Sequence, residues 1–263
     1  MTTLIEFRPG LFLTEVQLPD FAVRGAVIIG DERAAVWDSL SHPRDMQAVA
    51  SLLTKNNWTL VYTHADWDHV WGTAGLVYAG QAIIGHDHCL TRFSQEVPQE
   101  LREKQNAEPG VWNEIILISP TQTFANALSL DLGNLTLHLH HLPGHTLDCI
   151  VGFISEWGIL LAGDTVETPL PVINQDSPIE KWIAELQRWE SNSAVQHVIP
   201  AHGNIGGREL LRQNIDYLQK LRAGIAPDIP GELNNFYRET HQNNLRYTKL
   251  TGHCGLGELG RAE

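Results

Sequence analysis

The chain predicts an α/β protein in which two β-sheets are covered by helices on their outer sides, and three observations carry that prediction. Apolar residues alternate at period two in some short runs and recur at helical period in other stretches. The order of those runs, several strands followed by strand-helix units, occurs twice. No linker separates the two halves, so residues 1–263 read as a single domain.

In the first half, Leu4–Phe7, Leu11–Val16, Ala26–Ile29 and Ala34–Trp37 read as strands. A helix over Pro43–Thr54 places Met46, Val49, Leu52 and Leu53 on one face. The β-forming run Trp58–Tyr62 supplies the next strand, Leu60–Thr63, followed by a helix near Trp71–Ala79, a strand at Ala82–Ile84 and a helix over His88–Gln105. After the turn signal Glu108-Pro109-Gly110 the pattern restarts with strands at Ile115–Ile118, Leu128–Leu132 and Leu135–Leu142. The last of these alternates strictly, with Leu135, Leu137 and Leu139 on one face and Thr136, His138 and His140 on the other. Cys149–Ile154 and Gly158–Ala162 pair as a hairpin; a helix over Pro178–Glu190, a strand at His197–Pro200 and a helix over Gly207–Leu221 complete this half. Residues 226–263, rich in Asn and Gly, read as the least structured part, a polar tail or cap.

Composition narrows the class. At 43% hydrophobic and 8% aromatic residues the chain can build a sizeable core. With 18 basic against 31 acidic residues its formal charge is -13, which argues against a nucleic-acid or anionic-membrane partner. The start has no basic segment leading into an apolar run and no stretch is apolar enough to span a bilayer, so the expectation is a cytoplasmic protein with a small-molecule substrate, with a homodimer as the assembly left open. Cys89, Cys149 and Cys254 are too far apart for a zinc pair and too few for a disulfide framework, and read as buried thiols.

The chemistry concentrates in Thr63-His64-Ala65-Asp66-Trp67-Asp68-His69, which puts four metal-capable side chains, His64, Asp66, Asp68 and His69, into six residues on a loop after a strand. Loops at the carboxyl ends of strands are where open α/β sheets place their sites. A motif this short needs distant partners, and three occur in the same context. They are His145 in Leu142-Pro-Gly-His-Thr146, Asp164 in Leu161-Ala-Gly-Asp-Thr165 and His202 in Ile199-Pro-Ala-His-Gly203.

In that order these four motifs resemble the signature of the metallo-β-lactamase-fold hydrolases, over about Val27 to Gly203. The resemblance implies a four-layer αβ/βα sandwich with a dinuclear metal site at one edge. By position, His64, Asp66 and His145 would hold one divalent ion, and Asp68, His69 and His202 the other, with Asp164 bridging. Zinc fits these ligands best, with iron or manganese as alternatives. The implied reaction is hydrolysis of an ester, thioester, lactone or phosphoester bond by a hydroxide held at the cations, which Asp68 both ligates and orients. Asp164 argues against an antibiotic-hydrolysing β-lactamase, since those enzymes resemble this pattern but lack the bridging Asp.

Residue 66 departs from the common motif, being Asp in HxDxDH where the best-known members carry a second His. Three carboxylates then face two divalent cations, one negative charge more than usual, which predicts a less acidified water and more tolerance for iron or manganese. Because flavodiiron oxidoreductases place Glu at this position, and Cys149 follows Pro-Gly-His-Thr as in persulfide dioxygenases, an iron-dependent oxidoreductase is the alternative. A non-catalytic binding protein is a third reading, which seven retained ligand-type residues disfavour.

Other residues have plainer readings. Asp38 at a strand end matches the family's support for the metal site, or caps a turn. Trp67, between two ligands, has a claim to the pocket, whereas Trp71 reads as core. His138, His140 and His141 read as packing or surface residues, and His86 and His88 as surface residues of which one could line the pocket; Arg188, Arg208 and Arg212 fit equally an anionic substrate group or solvated helix positions.

Overall fold

Alternation in the first half becomes a seven-stranded sheet whose strands lie side by side in chain order. The strands are β1 (Thr3–Arg8), β2 (Leu11–Gln17), β3 (Ala22–Ile29), β4 (Ala34–Trp37), β5 (Trp58–Val61), β6 (Ile83–His86) and β7 (Gln122–Phe124). Neighbours are antiparallel from β1 to β4 and parallel from β4 to β7. The second sheet holds β8 (Ala127–Asp131), β9 (Thr136–His141), β10 (Ile150–Ile154), β11 (Ile159–Gly163) and β12 (His197–Pro200) in the order β12-β11-β10-β9-β8. Only its β11–β12 pair is parallel. This is a computed structural model that describes residues 2–53, 57–76, 80–229 and 231–251.

Three clusters of buried side chains define four layers. Between the sheets, Leu13, Ile28, Trp37 and Val61 of the first meet Leu137, Leu139, Ile150 and Leu161 of the second. On the outer face of the first sheet, Val27, Val36 and Leu60 pack under α1 (Gln47–Leu52), α2 (Trp67–Val70) and α3 (Asp87–Ala107) through Val49, Val70, Phe93 and Val97. On the opposite outer face, Val151, Phe153 and Leu160 pack under α4 (Ile179–Glu190) and α5 (Glu209–Arg222) through Trp182, Leu186, Leu211 and Leu218. The chain is therefore a helix–sheet–sheet–helix sandwich. Leu137 and Leu139 are fully buried while His138 and His140 are not, as the period-two pattern of β9 requires.

The expected elements are recovered with these differences. The helix over Pro43–Thr54 is a 3-10 turn, Pro43–Met46, running into α1, and Thr54 lies outside the described residues. The helix near Trp71–Ala79 starts earlier, as α2, and continues as a 3-10 segment over Trp71–Gly75; residues 77–79 lie outside the described residues. The strand expected at Ile115–Ile118 is irregular chain, with Ile116 62% exposed; the strand that pairs with β6 is β7. A run of Ile and Leu makes a strand only where it finds a partner edge, and this one runs past the sheet without pairing.

Within 226–263, expected to be the least structured part and a polar tail or cap, the described residues include a helix α6 (Asn235–Thr251) that follows Asn234, whose side chain accepts from the Tyr237 backbone N–H at 2.9 Å. Cys254 and the rest of 252–263 lie outside the described residues. Its buried face uses hydrogen bonds as well as apolar contact. Asn244 accepts from Ile173 N at 3.2 Å and donates to Pro171 O at 2.8 Å and to Tyr217 Oη at 3.1 Å. Replacing Asn244 by Ala leaves a buried carbonyl and amide unpaired, and should lower stability by about 3 kcal/mol; the measurement is urea denaturation against the parent protein.

Candidate metal centre

Strand directions bring the site together before any side chain is considered. β4 and β5 are parallel, so Asp38 and the 63–66 loop leave the first sheet at the same end. In the second sheet β9, β11 and β12 share one direction, and their ends deliver His145, Asp164 and His202. A bond from Ile150 N to Thr63 O, 3.0 Å, ties the sheets at that end. The cluster expected wholly on a loop is divided: His64 and Asp66 are on the loop, while Asp68 and His69 lie on α2.

All seven predicted positions converge. His145 Nε2 lies 3.0 Å and His64 Nε2 3.4 Å from Asp66 Oδ2. On the other side His202 Nε2 is 3.5 Å from Asp68 Oδ2, and His69 Nε2 is 3.8 Å from Asp68 Oδ1. Asp164 lies between them: its Oδ1 is 3.3 Å from His69 Nε2, and its Oδ2 is 3.4 Å from His202 Nε2 and 3.7 Å from His64 Nε2. Two ligand-like groups result, His64–Asp66–His145 and Asp68–His69–His202, linked by a third, His64–His69–Asp164.

Each imidazole is oriented through its other nitrogen. His145 Nδ1 donates to Val172 O at 3.0 Å and His202 Nδ1 to Ala22 O at 2.8 Å. His69 Nδ1 donates to Asp38 Oδ2 at 2.8 Å. Thr63 Oγ1 donates to that same oxygen, so it accepts from His64 Nδ1 at 2.9 Å. In each ring the proton is thereby assigned to Nδ1 and the Nε2 lone pair faces the centre. Asp38 holds this arrangement from a left-handed backbone conformation, φ 62°, and is buried.

These residues fit a cation on their own evidence of unmet bonding. His64 Nε2, His69 Nε2 and Asp164 Oδ1 are buried with no hydrogen-bond partner, which is rare unless something else satisfies them. Imidazole nitrogens and carboxylate oxygens suit divalent first-row metals. In a tetrahedral shell with bonds of about 2.0–2.2 Å neighbouring donors lie roughly 3.4 Å apart, close to the separations found here. Electrostatics agree: burial alone would lower the His145 and His202 pKa values, yet Asp66 raises the first to about 9 and Asp164 the second to about 10. The carboxylates call for positive charge at this point.

A family model described as the metallo-beta-lactamase superfamily matches residues 20–186. The chain belongs to the metallo-beta-lactamase superfamily. It is 24% identical over 189 residues to metallo-beta-lactamase type 2 of Bacillus cereus, a match covering 70% of this chain and 66% of that protein, just under two thirds of the relative's length. Among solved structures, a metallo-beta-lactamase from Pontibacter korlensis superposes with a TM-score of 0.69 at 17% identity, over 83% of this chain and 99% of that one. FIM-1 from Pseudomonas aeruginosa, in its mono-zinc form, gives 0.63 at 19% identity over 83% and 95%. At these identities the structural likeness is one of fold.

This member of the superfamily surrounds the centre with residues that the sequence did not flag. Arg92 on α3 donates to Asp66 Oδ1 at 2.7 Å. Trp182 of α4 donates to Thr165 O at 2.9 Å, and its ring would lie 2.6 Å from a Cβ at Gly144, so one indole seats both the His145 and the Asp164 loops. Asn174 and Ser177 donate to His145 O at 3.2 and 2.8 Å, and α6 anchors that segment through Asn244. Glu167 is buried, bonded through Oε1 to Tyr237 Oη at 2.8 Å, and burial pushes its carboxyl up to about 7. Its nearness in sequence to Asp164, in Asp164-Thr-Val-Glu-Thr168, was the available signal for Glu167.

A cavity of about 570 Å³ has Asp66 and His145 in its lining. Trp67 is not among the residues that line it; its ring packs on Trp112 and Trp71, with Lys104 Nζ 3.8 Å from its centroid. His138 and His140 face Ser129 and Trp189 instead. Cys149 is buried with its thiol against Thr146, and burial raises its pKa well above the usual thiol value.

Asp38→Asn isolates the orienting role. Asn tolerates the positive φ, and the Thr63 N–H fixes its amide oxygen, leaving the amide NH₂ to face His69 Nδ1. His69 must then carry its proton on Nε2. The variant should fold, by circular dichroism, yet bind zinc roughly ten- to hundredfold more weakly by competition with a chromophoric chelator.

Proposed function

We propose that the protein is a dinuclear metal-dependent hydrolase that acts on acyl substrates carrying no net negative charge. The observation that supports this most is the placement of Asp164, whose two oxygens reach toward imidazoles of both ligand-like groups. His64, Asp66 and His145 would hold one cation, Asp68, His69 and His202 the other, and Asp164 would touch both. When bound, two such ions polarise a carbonyl group and acidify a water. Asp68, 5% exposed and directed at His69 and His202, is the carboxylate that would orient the attacking water and accept its proton. Zinc is the metal these nitrogen and oxygen donors favour.

Charge in the adjoining cavity supports the choice among ester, thioester, lactone and phosphoester substrates. Glu96, Glu100, Glu103 and Asp176 line it with Asp66, and its one arginine, Arg92, is already paired with Asp66, Asp148 and Glu96. At roughly 8 Å and an effective dielectric constant near 20, each ionised carboxylate costs a bound anion about 2 kcal/mol before screening, Glu100, pushed up to about 7 by burial, adding less, and the cations at the centre would offset this only for groups that reach them. Neutral or cationic esters, thioesters and lactones suit such a lining; phosphodiesters and carboxylate-bearing β-lactams do not. A second reading, iron-dependent oxidation, has the carboxylate at Asp66 in its favour; bound iron together with oxygen uptake is what it requires.

Two results test the reading. Asp164→Ala should lose at least one metal equivalent by elemental analysis and nearly all turnover; full activity in that variant would sink the dinuclear mechanism. For an ester assayed beside its carboxylate-bearing counterpart, kcat/KM should favour the neutral compound about tenfold or more, and Glu100→Gln with Glu103→Gln should narrow the gap. Equal rates would reject the charge argument and leave the hydrolase standing.

A further inference from the structure

Asp66 is the one ligand position at which this chain differs from the common motif, and its carboxylate does not stand alone. Arg92 Nη2 donates to Asp66 Oδ1 at 2.7 Å while Nη1 donates to Asp148 Oδ1 at 3.0 Å, and Nε donates to Glu96 at 2.8 Å. Asp148 is fully buried, and its other oxygen accepts the backbone N–H of Ala65 at 2.8 Å. A closed circuit results: Ala65 to Asp148, Asp148 to Arg92, Arg92 to Asp66, and back along the chain to Ala65. It joins three separate pieces of the protein, the 63–66 loop, the loop entering β10 and helix α3.

The circuit leaves one Asp66 oxygen outside it, Oδ2, 3.0 Å from His145 Nε2. Oδ1 is taken by the guanidinium, and Oδ2 is the atom that approaches His145 and His64. A carboxylate so held resembles an imidazole in two respects: it presents a single donor atom, and part of its charge is offset by a fixed partner. Arg92 is shared with Asp148 and Glu96, so the offset is partial.

We infer that Arg92 is the positioning residue that lets an aspartate occupy ligand position 66, by tying Oδ1 and leaving Oδ2 as the only oxygen turned to the cation. The inference rests on the metal-centre reading given above, and it amends the charge count made from the sequence, in which Asp66 was uncompensated. A planar fork suits the place because Nη1 and Nη2 are separate atoms that reach the two carboxylates in fixed directions, whereas a lysine offers all its donors from one nitrogen.

The test is a double-mutant cycle on full-length protein, with stepwise zinc affinity measured by competition against a chromophoric chelator and thermal unfolding of the metal-free variants as the control for packing. Arg92→Met should weaken one of the two zinc steps roughly ten- to hundredfold and leave the other unchanged, and Arg92→Lys should recover only part of the loss. Asp66→His should still bind two zinc ions, and adding Arg92→Met to it should change neither step, because an imidazole has no second oxygen to restrain. Zinc binding by Arg92→Met at parental affinity overturns the inference alone. An equal loss in the Asp66→His background also overturns it, since Arg92 then acts through Asp148 and Ala65 as a structural tie. A parental protein that binds no zinc overturns the reading of the centre, and the inference with it.

Discussion

Each of the four imidazoles in the cluster gives its Nδ1 proton to a fixed acceptor, and those acceptors come from different parts of the chain: Thr63, Asp38, Val172 O and Ala22 O. For His69, His145 and His202 the direction of the Nε2 lone pair is therefore a product of the tertiary fold, while His64 is aimed by its neighbour Thr63, which Asp38 holds. Ala22 begins β3 in one sheet while His202 follows β12 in the other, so that a single hydrogen bond carries the packing of the two sheets into the aim of one ring. Arg24 strengthens the same seam by donating to Pro200 O and Gly203 O on either side of His202. A shift of one sheet against the other would misdirect His202 without moving His64.

Residues whose roles follow from type and spacing were legible in the sequence. The seven clustered positions were found because ligand chemistry restricts residue type and because strand ends are marked by Gly and Pro. The four layers were legible once two sheets were read, since each needs cover on its outer face. Arg92 was not legible: between Thr91 and Phe93 on an amphipathic helix, a lone arginine looks like any solvated position. Asp148 was hidden in the same way, its burial arising from a partner 56 residues away in the chain. The helix α6 escaped because its inward positions include Thr240 and Asn244, polar residues that give no apolar stripe to count. The mistaken strand at Ile115–Ile118 is the converse case, an apolar run with no edge to join.

Membership in the superfamily accounts for the framework, and the departures are what distinguish this chain within it. A carboxylate at position 66 and acidic residues beside the centre act in the same direction, adding negative charge where the best-known motif has less. The protein balances part of this internally with one guanidinium and leaves the remainder facing the cavity. Electrostatics in such a site select partners by the sign of their charge as much as by shape.

The contiguity of positions 64 to 69 has a consequence for folding itself. Four of the seven clustered side chains are already close together in an unfolded chain, so a cation bound by this cluster would have some hold on that segment before any sheet exists. His145, Asp164 and His202 add theirs only when both sheets are in place. The stabilisation a cation lends the native state depends on the difference between those two affinities, and is smaller than its total affinity for the folded protein. Were these residues to hold an ion, the segment 64 to 69 would meet it first during synthesis, and His202 could join only after the last strand, β12, had left the ribosome.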